Sequence, residues 1–104
     1  MKIYEHSNLQ VTVVKEGHVY TISGEEQELA TINFQDGPVK EIGINGIQNE
    51  PLIAILIDRI TMLNTLFPCP ENLLALKHLG EALEALEFRT KNRIARGVED
   101  QNII

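Results

Sequence analysis

Three arginines late in the chain, Arg89, Arg93 and Arg96, recur at spacings of four and three residues, with Lys91 among them and Phe88 just before. On a helix this spacing brings the three guanidinium groups to one face. A guanidinium fork grips phosphate oxygens through paired N–H bonds, and an aromatic ring stacks on a nucleobase. The group therefore carries the donors that a small phosphorylated anion needs. A plainer account stands beside it: basic residues favour a helix C-terminus, and Glu87 with Lys91 makes an i,i+4 pair. Spacing by itself leaves both accounts open.

Other chemistry is thinly represented. There is no phosphate loop of the G-x-x-x-x-G-K-[ST] or G-x-G-x-x-G kind, no C-x-x-C pair and no H-E-x-x-H motif. His6, His18 and His78 are spread over a terminal segment, a strand and a helix, so no metal site is expected. Glu81, Glu84 and Glu87 repeat every three residues and read as a solvated helix face, not as a catalytic pair. The single cysteine, Cys69, sits between Pro68 and Pro70. It reads as a turn residue, with a thiol activated by the following helix start as the alternative. A positioned base, a metal or a nucleophile is what an enzyme would need, and none stands out.

Charge narrows the partners. The net charge is -6, whereas a duplex-binding protein is normally basic, so general nucleic-acid binding is disfavoured. Yet four of the nine Lys and Arg residues fall between Arg89 and Arg96. A local basic cluster on an acidic chain suits a small anion held by a few aimed donors. One cysteine allows no intrachain disulfide, which fits a reducing compartment. Residues 1–10 carry no apolar signal segment, and the longest apolar run, Leu52–Ile57, is too short for a bilayer. A soluble cytoplasmic protein without a membrane partner is expected.

These side chains need a scaffold, and the length of 104 residues suits one domain. Its parts are a β portion (1–48), an αα-hairpin (49–97) and a tail (98–104). In the β portion, Leu9–Lys15, His18–Ser23, Leu29–Gln35 and Val39–Ile44 read as four antiparallel strands, with Lys2–Glu5 as a fifth candidate. Glu16-Gly17 and Gly24-Glu25-Glu26 mark turns, and Asp36-Gly37 is a hairpin signal with Pro38 opening the returning strand. Gly46 after Asn45 offers a positive-φ turn, and Asn49 a helix N-cap.

A first helix is expected from about Glu50 to Leu66. Its stripe, Ile53, Leu56, Ile60, Leu63 and Phe67, is flanked by Leu52, Ile55, Met62 and Leu66. So much apolar circumference calls for burial on more than one side, which a partner subunit could supply. Phe67-Pro68-Cys69-Pro70 breaks the helix. A second helix follows from about Glu71 to Arg96, with Leu76, Leu79, Leu83 and Leu86 as its stripe and Gly97 closing it. Ala75, Ala82 and Ala85 allow another helix to come close. The fold class is α+β: a four- to five-stranded antiparallel sheet followed by a C-terminal antiparallel αα-hairpin.

Two stretches carry a resemblance. Phe34-Gln35-Asp36-Gly37-Pro38-Val39-Lys40-Glu41-Ile42-Gly43-Ile44-Asn45-Gly46-Ile47, then Asn49-Glu50 and Leu52-Ile53-Ala54, resembles phage Thoeris anti-defence proteins of the nucleotide-sponge type. Glu71-Asn72-Leu73-Leu74-Ala75-Leu76, Glu81-Ala82-Leu83, Arg89-Thr90-Lys91 and Arg96-Gly97-Val98-Glu99 is similar to the hairpin shared with phage anti-CBASS sponges.

The resemblance implies a protein acting in the host cytoplasm that sequesters cyclic ADP-ribose isomers made by bacterial TIR enzymes and does not hydrolyse them. Some members also take up cyclic di- or trinucleotides at separate sites. It further implies a homo-oligomer, dimer or hexamer, with ligand between protomers, and no cofactor. Carried over residue by residue, Asn72, Arg89 and Arg93 become polar ligand contacts. Phe67 is a stacking ring or a core residue, and Lys91 and Arg96 match the pattern but can face a second, symmetric site. Cys69-Pro70 replaces the basic residue expected before the Glu-Asn pair. The alternatives are an inhibitor that docks on a host defence protein through its apolar helices, and a nucleotide-cleaving enzyme.

Overall fold

The computed structural model describes residues 1–96; Gly97 as a helix stop and the tail at 98–104 lie outside the described residues. The chain forms two compact units, one from Met1 to Ile47 and the other from Gln48 onward.

The first unit is a four-stranded antiparallel meander in the order β1-β2-β3-β4: β1 Lys2–His6, β2 Leu9–Lys15, β3 Val19–Gly24 and β4 Gln27–Asn33. The alternation in the sequence is realised across the strands. Val11 stands opposite Ile22, which stands opposite Ala30, and Val13–Tyr20–Ile32 forms the next row. The intervening row is Thr12–Thr21–Thr31, so one face of the sheet is apolar and the other polar. Gly17, at φ 76°, makes the β2–β3 turn that Glu16-Gly17 signalled.

The β portion departs from expectation after β4. The fifth candidate, Lys2–Glu5, is in the sheet as β1, and Val39–Ile44 is no strand: Val39–Ile42 is a single helical turn, α1, with Pro38 at its N-cap position. Asp36-Gly37 accordingly makes no hairpin. Side chains hold the segment instead. Gln35 Nε2 donates to the carbonyls of Gly37 (3.2 Å) and Gly43 (2.9 Å), and its Oε1 accepts from the Asn45 N–H (2.9 Å). The Asn45 side chain accepts from the Asp36 N–H and donates to the Asp36 carbonyl, both at 2.8 Å. Pairing of this kind competes with ladder formation, and here it wins.

Past this lobe the chain returns beside β4. Ile47 N–H donates to the Asn33 carbonyl (2.8 Å) and the Gln35 N–H to the Ile47 carbonyl (2.9 Å), making a short parallel bridge at Phe34. Gly46 has no positive φ; it is there for closeness. A Cβ at this position would lie 2.4 Å from the Phe34 carbonyl carbon.

The second unit is the helical hairpin: α2 Asn49–Leu66 and α3 Pro70–Ala95. Gln48, not Asn49, takes the N-cap position of α2, with Glu50 in the first turn, and Pro70 occupies the first turn of α3. The half-buried residues of α2 include Ile53, Ile57, Ile60 and Leu63, while Leu56 and Phe67 of the expected stripe stay 43% and 72% exposed. On α3 the half-buried row is Asn72, Leu76, Leu79, Leu83, Leu86, Thr90 and Arg93, a strict alternation of four and three. Ile55, Met62 and Leu66 of α2 are each more than half exposed. No described residue is fully buried.

Candidate functional site

The six candidate side chains all belong to the hairpin, but they fall in two places along it. Phe67 and Asn72 are at the closed end. There the Asn72 amide donates to the Phe67 carbonyl (3.4 Å), and the Asn64 side chain accepts from the Cys69 N–H (3.0 Å). These two asparagines fix the Phe67–Pro70 connector, where two prolines remove backbone donors. Asn72 commits one amide N–H to the connector and keeps further hydrogen-bonding capacity. Half-buried Cys69 is held as a turn residue.

Arg89, Lys91 and Arg93 occupy the last turns of α3 and Arg96 its C-cap, at the open end. Asn72 and Arg89 are 17 positions apart on one helix, which at 1.5 Å per residue separates them by about 26 Å. One hairpin cannot close both groups around one small molecule.

The basic end is itself divided. Arg89 and Arg96 are exposed and line a shallow depression of about 480 Å³ with Phe88, Asn92 and Ala95. All five belong to a single helix. That volume falls in the range of ligand pockets, but one helix supplies one wall and cannot enclose a ligand. Arg93 turns toward the α2–α3 seam, half-buried one turn past Thr90. Lys91, two positions from Arg89, projects about 200° around the helix and so from the other side.

The open end is tied across the hairpin. Thr90 Oγ1 donates to Glu50 Oε2 at 3.3 Å. Neither residue stood out as a candidate by charge clustering. The signal was available in the period: Thr90 falls in the row that Leu76, Leu79, Leu83 and Leu86 occupy, and a polar residue in an apolar seam needs a partner.

A second group of titratable side chains belongs to the first unit. Asp36 pairs with Lys15 Nζ at 2.5 Å and lies 3.6 Å from His18 Nε2. The hydrogen bond from Lys15 lowers the carboxyl pKa of Asp36; partial desolvation opposes the shift, and the charges of His18 and Lys15 add to it. Among the described residues no three His, Cys, Asp or Glu side chains gather as a metal would need, and no helix is long and apolar enough to cross a membrane.

A β-meander followed by an αα-hairpin with a basic open end and an asparagine-braced connector defines the class. Residues 26–90 match the model of the Acb2/Tad1 hairpin domain, more than half of the chain, and the chain belongs to that family. The match runs from β4 through Thr90; it includes Phe67, Asn72 and Arg89 and stops before Lys91, Arg93 and Arg96. A particular relative is Thoeris anti-defense 1 of Bacillus phage SBSphiJ7, 52% identical over 73 residues. The aligned stretch is 69% of this chain and 51% of the relative, so the chain spans about half the length of the protein it matches. The likeness to phage Thoeris anti-defence proteins, and the α+β class with a C-terminal helical hairpin, stand on these matches and on the fold.

Proposed function

We propose that this protein is a phage anti-defence sponge. It binds cyclic ADP-ribose isomers, holds them without cleaving them, and so keeps a Thoeris-type effector inactive in the host cytoplasm. Family membership and the anti-defence relative support this reading. The observation that carries its physical form is the 26 Å separation, about 17 helical rises, between the two candidate groups on α3.

In this reading the site is completed by a second copy. Two hairpins laid antiparallel bring Phe67 and Asn72 of one protomer level with Arg89 and Arg96 of its partner, and symmetry makes two such sites per pair. Leu74, Ala82 and Ala85 share the flank of α3 that carries Arg89, offering small and apolar contact for a neighbouring helix. The exposed Ile55, Met62 and Leu66 of α2 supply further apolar surface. Arg89 and Arg96 then neutralise the pyrophosphate, with Arg93 adding its charge from the seam, Asn72 reads a sugar or base edge, and Phe67 covers a base. Lys91 serves a second, symmetric site, where cyclic di- or trinucleotides are the alternative ligands. The assembly is a dimer or a hexamer.

The test is calorimetric titration with cyclic ADP-ribose isomers, followed by heat denaturation and analysis of the released nucleotide. Intact nucleotide is expected, and Arg89→Ala weakens binding roughly ten- to hundredfold, the worth of a charge-assisted bond, without unfolding the protein. A fragmented nucleotide turns the reading to an enzyme. Absence of affinity turns it to a protein-binding inhibitor.

A further inference from the structure

The three threonines of the hairpin behave in two ways. Thr61 and Thr65 turn their hydroxyls back to carbonyls one turn earlier, Ile57 (2.7 Å) and Thr61 (3.1 Å), the usual local partner of a helical threonine. Thr90 instead reaches across to Glu50, 40 positions away. Glu50 sits in the first turn of α2, where the helix N-terminus favours a carboxylate. Both residues are half-buried, which shields their hydrogen bond from competing water.

We propose that the Glu50–Thr90 tie positions the anion-binding end of α3, making these two side chains determinants of ligand affinity without touching the ligand. This rests on the sponge reading above. From Leu76 to Leu86 apolar packing holds α3 against α2. Beyond Leu86 the seam turns polar, and helix ends fray where packing stops. The tie falls one position after Arg89 and one turn before Arg93. Releasing it lets the last two turns move and takes the guanidinium groups out of register with phosphate oxygens.

Thr90→Val keeps the shape and removes the hydroxyl; Thr90→Ser restores it; Glu50→Ala removes the acceptor. Each full-length variant is examined by amide hydrogen exchange and by calorimetry with cyclic ADP-ribose isomers. In Thr90→Val and Glu50→Ala, exchange over residues 88–95 is expected to quicken about tenfold and affinity to fall about three- to tenfold, the scale of one partly exposed hydrogen bond. Thr90→Ser should return both toward wild type. Unchanged exchange in Thr90→Val, or no recovery in Thr90→Ser, overturns the tie. Faster exchange with unchanged affinity overturns its positioning role. If the wild type binds none of these nucleotides, the sponge reading falls, and with it the positioning role; the exchange data then judge the tie alone.

Discussion

Replacing Gly46 by alanine tests how the segment after β4 is held. The new methyl carbon would lie 2.4 Å from the Phe34 carbonyl carbon, 2.6 Å from its oxygen and 2.7 Å from the Asn33 oxygen. All three are backbone atoms, so no side chain can swing away. Relief requires the 46–47 peptide to withdraw from β4. That withdrawal breaks the bonds from Ile47 N–H to the Asn33 carbonyl and from Gln35 N–H to the Ile47 carbonyl. At about 1 kcal/mol each, with about another 1 kcal/mol of residual crowding, Gly46→Ala should destabilise the first unit by about 3 kcal/mol. For a domain of this size that lowers the midpoint of thermal unfolding by roughly 10 °C or more. Melting followed by near-ultraviolet circular dichroism, which reports Tyr20 and Phe34 (rings 5.9 Å apart, edge to face), is the assay. A midpoint within about 2 °C of wild type would show that the backbone contact does not constrain this position.

Three further outcomes follow from packing and charge. Leu83→Ala, in the half-buried row of α3, should cost about 1–2 kcal/mol, below the full-core range because the site is only half-buried. Leu74→Ala, 56% exposed, should cost under about 0.5 kcal/mol in the isolated chain, measured by urea denaturation at low protein concentration. For Asp36 the folded pKa is depressed below 3.8, so its pairing supports the fold above that value and is lost as pH falls through the lowered pKa. Carboxyl-carbon NMR titration should show the Asp36 midpoint moving up in Lys15→Met; an unmoved midpoint would refute the assigned cause.

Much of the scaffold was legible because its signals are local. Alternation located β2 and β3, and the Pro68–Pro70 pair with two apolar rows located the hairpin. Val39–Ile44 reads as a strand, and Val39–Ile42 folds as a helical turn for a definite reason. Asp-Gly before an apolar run signals a hairpin, while the interactions that decide the outcome, Gln35 and Asn45 reaching across eight to ten residues, have no periodicity. The candidate site was legible in composition and not in placement. The repeat of Arg89, Arg93 and Arg96 reads as one face, yet Arg93 also continues the row that starts at Asn72 and runs through the leucines, and so it turns inward. Nor does a list of side chains reveal that Phe67 and Asn72 belong to one end of the hairpin and the arginines to the other; that follows only once α3 is seen to run unbroken from Pro70 to Ala95.

The Gln35–Asn45 clasp has a mutational corollary. It gathers the two ends of residues 36–44 through side-chain bonds to the main chain, which add to the backbone bonds of Ile47 with Asn33 and Gln35 in fixing the return beside β4. Within the knot the glutamine and asparagine bond main-chain groups of Asp36, Gly37 and Gly43, so the side chains of Val39–Ile42 take no part in holding it. Substitutions among the side chains of the α1 turn are therefore expected to leave the pairing of β3 with β4 undisturbed.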